Sequence, residues 1–388
     1  MKISQFGNCI AMAFLVMFQA YLVAPVISEI SNDLHSSLTF LGLTIPAFAV
    51  PYGFSALIIT NTANRFGKKH ILVTFLFFFT IVLLCIARCN SIKEFIFLRI
   101  LAGIFSGPLI PICIIQLADG YNLHTKNKII NYIFLSMATG MTMGPIFGAY
   151  FNTLMGWRNE FMAIAVISTM LLVSVIYSNR IYQESESLQV NVQKTRRFYW
   201  RNILYEHKKT YSFIYLNGIF HSGIFVWTSN SLTVNYQLND QGIAIALFGF
   251  GVPGLVLAFY MANAVKKIGM NRIIPVGVIV VALTTALLLL ETPVWIAVLV
   301  ITLLSIAFVL TFPLFIGMFH YIKTSPKRDE SISLGFCALF LGYGSGPLVL
   351  IYLIRLNVNN GLLFLSAIGL MIAWLAIKLF KKKSKADK

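Results

Sequence analysis

The chain is poor in charge, and poorest in acid. Of its 388 residues only 11% are Asp, Glu, Lys or Arg, with 13 acids against 30 bases, while 58% are hydrophobic. Soluble proteins carry about a quarter charged residues, so lipid is the expected solvent. No acid falls in the middle of an apolar run: Glu29, Asp33, Glu94, Glu160, Asp240 and Glu291 sit at run ends on one side, the others on the opposite side. The longest polar stretch, roughly 179–209, is below the usual domain minimum of about 50 residues. The five cysteines (Cys9, Cys85, Cys89, Cys113, Cys337) have no metal-ligand spacing and suggest no disulfide framework, so they read as small packing residues. The short alternating segments of a β-barrel are missing. Nucleotide motifs, metal-ligand sets and nucleophile–base pairs are missing as well, so neither an enzyme nor a cofactor is expected.

What is present is a series of apolar runs of about 20 residues, the length that crosses a bilayer core. Breaks at charge clusters place twelve spans near 7–28, 37–62, 71–89, 95–118, 129–153, 161–178, 210–233, 241–264, 273–290, 294–320, 331–354 and 361–379. The first is too long for a signal-peptide core and has no A-x-A site after it, so it reads as a span. All but five of the 30 Lys and Arg residues then fall on one side; Arg88, Lys93, Arg158 and Arg355 lie opposite and Arg99 lies within a span. Cytoplasmic loops carry the basic excess, which places both termini and the central loop in the cytoplasm of a cell (inner) membrane protein. The net charge of +17 is therefore topology, and no nucleic-acid partner is expected.

The halves also repeat. A shift of 202 residues aligns Pro51 with Pro253, Pro111 with Pro313 and Pro145 with Pro347, together with Gly67/Gly269, Gly140/Gly342 and Gly144/Gly346. Chance predicts about 0.2 proline matches at one offset. Two parallel six-span repeats about an axis along the membrane normal are one common transporter layout.

Three motifs carry a resemblance. "ANRFGKK" after span two is similar to the loop signature G-x-x-x-D-R-x-G-R-R through Arg65, Gly67, Lys68 and Lys69, with Thr60 in place of the glycine and Asn64 in place of the aspartate. "RILAG" in span four is similar to R-x-x-x-G through Arg99 and Gly103. "GMTMGPIFGA" in span five, followed by "GWR", is similar to G-x-x-x-G-P-x-x-G-G, a signature associated with antiporting exporters. Over essentially its whole length the chain resembles the major facilitator superfamily, in its twelve-span drug/proton-antiporter-like branch. The resemblance implies an all-α membrane protein of twelve transmembrane helices in two pseudo-twofold six-helix bundles. The expected domains are residues 1–178, a cytoplasmic linker 179–209, and 210–388 with a basic tail.

Glycines four apart let a second backbone come close, and an intramembrane proline bends a helix and frees a carbonyl. Gly140, Gly144, Pro145 and Gly148 in span five, and Gly342, Gly346 and Pro347 in span eleven, are thus expected to form seams, span five against a helix of the other half. Either ordinary packing or a sliding contact would need such a surface. Gly67 permits a tight turn in the gating loop formed by Asn64, Arg65, Gly67, Lys68 and Lys69. The resemblance implies a latch there, weakened because Asn64 brings no charge.

Polar residues inside spans tend to mark a pathway. Asn217, His221 and Thr228 share one face of span seven at spacings of 4 and 11, and with Gln19 and Arg99 they are expected to bind substrate or couple ions around a central cavity. Interhelical hydrogen bonding is the alternative for each, and snorkelling for Arg99. The lack of a mid-membrane carboxylate argues against a usual cation/proton exchanger; fixed charge on Arg99 favours anionic, zwitterionic or neutral amphiphiles. His221 is the first candidate for proton coupling, and Glu29 the second. The expected function is efflux of small amphiphilic molecules by a monomeric secondary transporter using rocker-switch alternating access, with protons as candidate coupling ion. An importer or facilitator of an organic solute, or a non-transporting membrane sensor or scaffold, is the alternative.

Overall fold

In hydrocarbon every backbone N–H and C=O must be paired within the protein, so long apolar runs fold as helices. The computed structural model describes residues 3–36, 43–118, 123–183, 200–238, 269–290, 292–317 and 325–381, with six isolated positions between 242 and 267. Its helices are α1 (Ile3–Leu22), α2 (Ile27–Asp33), α3 (Thr44–Phe66), α4 (Lys68–Ile86), α5 (Ile92–Ser106), α6 (Leu109–Ala118), α7 (Leu123–Met155), α8 (Trp157–Gln183), α9 (Trp200–Glu206), α10 (Lys208–Val234), α11 (Met270–Leu287), α12 (Val294–Gly317), α13 (Ser325–Leu356) and α14 (Val358–Lys381). Among the described residues seven helical stretches are long and apolar enough to cross a membrane, and Thr44–Thr60, Arg272–Leu287 and Val294–Ala307 are shorter apolar helices. Eleven of the twelve expected spans coincide with these elements. All but a few isolated positions of the eighth, near 241–264, lie outside the described residues, as do residues 184–199 of the 179–209 linker.

Differences at the ends have local causes. Span one stops at Leu22, ahead of Pro25, and resumes as α2, because proline cannot donate to a helix ladder. Span four begins earlier than its apolar run. The Ser91 side chain accepts from the Glu94 amide (3.2 Å) and Glu94 Oε2 accepts from the Asn90 amide (3.0 Å), capping α5. The same span breaks at Gly107–Pro108 into α5 and α6. Pro108 has no N–H for the Ile104 carbonyl; Ser55 Oγ of α3 donates to it instead (2.5 Å).

Helices of the first half pack mainly on one another, α1 on α7 and α8, α3 on α5, and α4 on α8. Those of the second half do likewise, α10 on α13 and α14, and α11 on α12 and α14. The broadest contact between the two sets is α3 on α13. Large apolar side chains such as Phe54, Ile58, Met170, Leu283, Leu363 and Leu370 remain exposed, as expected of surfaces that face lipid.

The glycine seam needs a correction. A methyl group on Gly140 would lie 2.5 Å from the Phe14 carbonyl oxygen, on Gly144 2.5 Å from that of Phe18, and on Gly148 2.8 Å from that of Leu22. All three carbonyls belong to α1, so span five closes on a helix of its own half. Likewise Gly342 meets Tyr215 and Gly346 meets Ile219 (2.6 Å), both on α10. Close approach across the halves is made by Gly53, where a methyl would stand 3.0 Å from the Cys337 carbonyl, and by Gly344, 2.5 Å from Val50 Cγ2. Spacing marks a close approach without naming the partner. Pro145 and Pro347 both sit inside continuous helices.

Gly67 turns the chain between α3 and α4 at φ 87°, and its repeat partner Gly269 opens α11 at φ 85°. Both need the left-handed region that glycine enters without strain. Lys68 and Lys69 are half-buried; the side chains of Asn64 and Arg65 lie outside the described residues.

Candidate functional site

Arg99 is fully buried at 0% exposure. It enters the bundle two turns into α5, and Gly103, four residues on, lets α3 come close: a methyl there would run into the Phe48 carbonyl. That approach sets the Phe48 ring 4.7 Å from the guanidinium carbon, a cation–π distance. Arg99 Nη1 donates to Gln19 Oε1 (2.9 Å) and Nη2 to the Ala20 carbonyl (3.4 Å), while Nε has no partner among the described residues. No carboxylate of the described residues pairs with it. A guanidinium out of water without an anion is costly.

From Phe48 a chain of rings leads across to the other half. Tyr52 lies one turn on (centroids 5.8 Å) and stacks on Phe340 of α13 at 3.7 Å. Phe340 touches Tyr343 (5.1 Å), and Tyr343 lies 5.5 Å from His221 of α10. His221 Nδ1 is 3.2 Å from the Tyr21 hydroxyl of α1, two residues beyond Gln19. A hydroxyl both donates and accepts, so this bond can persist, with its direction reversed, whichever form the imidazole takes. The Tyr52 hydroxyl, like Arg99 Nε, is a buried donor without a partner among the described residues.

Of the residues expected around a cavity, the structure brings Gln19 and Arg99 into contact and places His221 against Tyr21. Asn217 is buried but spends its amide on the Phe213 carbonyl of its own helix (2.7 Å). Thr228 is buried, its hydroxyl without a partner among the described residues, seven residues beyond His221. The aromatic members Tyr21, Phe48, Tyr52, Phe340 and Tyr343 escaped the sequence reading, which weighed only polar side chains. The sequence carries the i, i+4 pair Phe48/Tyr52 and the R-x-x-x-G of Arg99 and Gly103 about 50 positions apart, and only the fold brings them together.

At the C-terminal end of α2, Arg158 ties three elements together. Its Nη2 and Nε reach Asp33 Oδ2 (both 2.9 Å), Trp157 Nε1 donates to the same oxygen (3.1 Å), and Nη1 donates to the Cys89 carbonyl (2.6 Å). The guanidinium also covers the Trp157 ring at 4.5 Å. Burial pushes the Cys89 thiol up to about 11, in keeping with its reading as an inert packing residue. Arg158→Ala is expected to lower stability by about 1 kcal/mol, because the two side chains are 32% and 45% exposed and water screens the ion pair. Thermal unfolding in detergent would measure the loss.

The family model of the Major Facilitator Superfamily matches residues 9–320. The chain belongs to this superfamily, and is a multi-pass membrane transporter of small molecules. Multidrug resistance protein 1 of Bacillus subtilis is 24% identical over 383 residues, covering 94% of each chain. Quinolone resistance protein NorA of Staphylococcus aureus is 23% identical over 379 residues, covering 96% of this chain and 95% of that one. The crystal structure of the human organic anion transporter MFSD10 (TETRAN) superposes with a TM-score of 0.77 at 13% identity, covering 96% and 99% of the two chains. At that identity the likeness speaks for the fold alone.

Proposed function

We propose that the protein is an efflux antiporter for small amphiphilic molecules, anionic, zwitterionic or neutral, working by alternating access. Residues 1–178 and 210–388 are the moving bundles and 179–209 the linker, in a monomer of the cell (inner) membrane with both termini cytoplasmic. The observation that carries the reading is Arg99, a buried cation without a counter-ion among the described residues, joined through a ring of side chains to both halves. The export direction is supported by the multidrug and quinolone resistance relatives, and the division into bundles by helix packing within each half. An unpaired guanidinium attracts the anionic group of a solute, and flanking aromatic rings hold its apolar part. The Tyr52–Phe340 stack and the Tyr21–His221 bond join the halves and must break for that side to open.

Inverted vesicles with fluorescent amphiphiles of different charge test this. A pH gradient is expected to drive accumulation of anionic, zwitterionic or neutral compounds well ahead of cationic ones. Equal transport of cations would overturn the role given to Arg99. Flux independent of the gradient would favour a facilitator, and neither flux nor solute-dependent thermal stabilisation a sensor. In a pH-jump assay His221→Ala is expected to lose most gradient-driven flux; unchanged flux would remove His221 from coupling.

A further inference from the structure

Glu160 stands in the first turn of α8, two residues after Arg158. It is 3% exposed, and neither carboxylate oxygen has a hydrogen-bond partner among the described residues. The contrast with Asp33 is instructive. Asp33, with its side chain 45% exposed, receives Arg158 and Trp157; Glu160, enclosed, receives nothing. An ionised carboxylate in such a place lacks both water and a counter-ion, and a charge of that kind is strongly disfavoured relative to the neutral acid.

Among the described residues no cation pairs with Glu160. Arg158, on the same helix, is committed to Asp33 and to the carbonyls of Cys89 and Ala87. Helix α8 packs on α4, α1 and α7. Lys68, Lys69 and His70 of α4 lie at its far end, and the titratable groups beyond its near end are exposed Arg88 and the Cys89 thiol. At the corresponding ends of α1 and α7 the titratable residues are Tyr21, whose hydroxyl is turned to His221 of α10, and exposed Tyr150, while His124, Lys126 and Lys128 begin α7 at the opposite end. Lys93 and Glu94, which precede and open the nearby α5, are exposed. From α2, Glu29 acts on Glu160 as a like charge.

We propose that Glu160 is a proton-binding site: its carboxylate takes one proton from water on the α1–α2 side and holds it as a carboxylic acid while that end of the bundle is closed. Opening would admit water, ionise the group and return the proton. A transporter without a mid-membrane acid would thereby keep a proton carrier at one end of its first half. Use of this proton for coupling rests on the antiport reading above; the site itself does not.

Infrared spectroscopy of the whole purified protein in lipid provides the test. At about pH 7, where an ordinary glutamate is ionised, the wild type is expected to show the carbonyl stretch of a protonated carboxyl group, lost in Glu160→Gln and kept in Glu29→Gln. An acid held neutral stabilises the fold at low pH and less as pH rises. The unfolding temperature of the wild type should therefore fall relative to that of Glu160→Gln from about pH 4.5, where the unfolded-state carboxyl ionises, and level off once the enclosed acid itself ionises. A band that survives in Glu160→Gln, or a destabilisation by this substitution that is equal at every pH, would overturn the site. Loss of the band with gradient-driven flux unchanged would leave the site standing and remove its part in coupling.

Discussion

Arg99→Ala should cut flux of anionic amphiphiles about a hundredfold, equivalent to roughly 2.7 kcal/mol of lost stabilisation. A charge-assisted hydrogen bond contributes about 1.5–3 kcal/mol, and the group proposed to attract the solute's anion disappears with the side chain. The Gln19 carbonyl oxygen, which now accepts from Arg99, would be left buried without a donor, so some stability is lost as well. Arg99→Lys separates the two effects. It keeps the charge but lacks the planar fork that reaches Gln19 and Ala20 together, so partial recovery is expected, and more for binding than for turnover. Flux in proteoliposomes, normalised to folded protein, measures both variants. If Arg99→Ala slowed anionic and neutral solutes equally, the charge would have no part in recognition.

The second large effect is structural. Gly342→Val should sharply reduce the yield of folded protein, because its side chain would meet backbone rather than movable side chains. A methyl at Gly342 would clash with the Tyr215 carbonyl and stand 2.9 Å from both Gly218 Cα and the Ile219 nitrogen. Overpacking typically costs about 1–3 kcal/mol, and here neither helix surface can yield without separating α10 from α13. Gly140→Val should behave alike on α1. Gly7→Val is the control, since nothing lies within 4 Å of a methyl there. Size-exclusion profiles of detergent-extracted protein would show a main peak for the control and aggregate for the other two; equal profiles would refute the packing account.

Helices and their order were legible because a bilayer leaves a long apolar run one backbone solution, and Gly67 and Gly269 were legible because a turn of positive φ selects glycine. The partner of the glycine seam was not. Gly140 signals that something approaches, and only the folded chain shows α1 rather than the second half. Asn217 carries the chemistry of a pathway residue, yet its amide turns back to Phe213. Glu160 looks like a loop acid because hydropathy registers a helix end and not the enclosure around it. Tyr52 and Phe340 gain their importance from meeting each other, 288 positions apart.

The hydroxyl of Ser55 caps the carbonyl that Pro108 leaves open, and so splices the bend of span four to the middle of α3. Tyr52 lies less than one turn from that splice, and Arg99 two turns from the bend. On the proposed alternating access the two helices are expected to swing as one lever arm. Whatever pulls Tyr52 off Phe340 would then drag the guanidinium with it, and the grip on a solute's charge and the parting of the halves would become a single stroke.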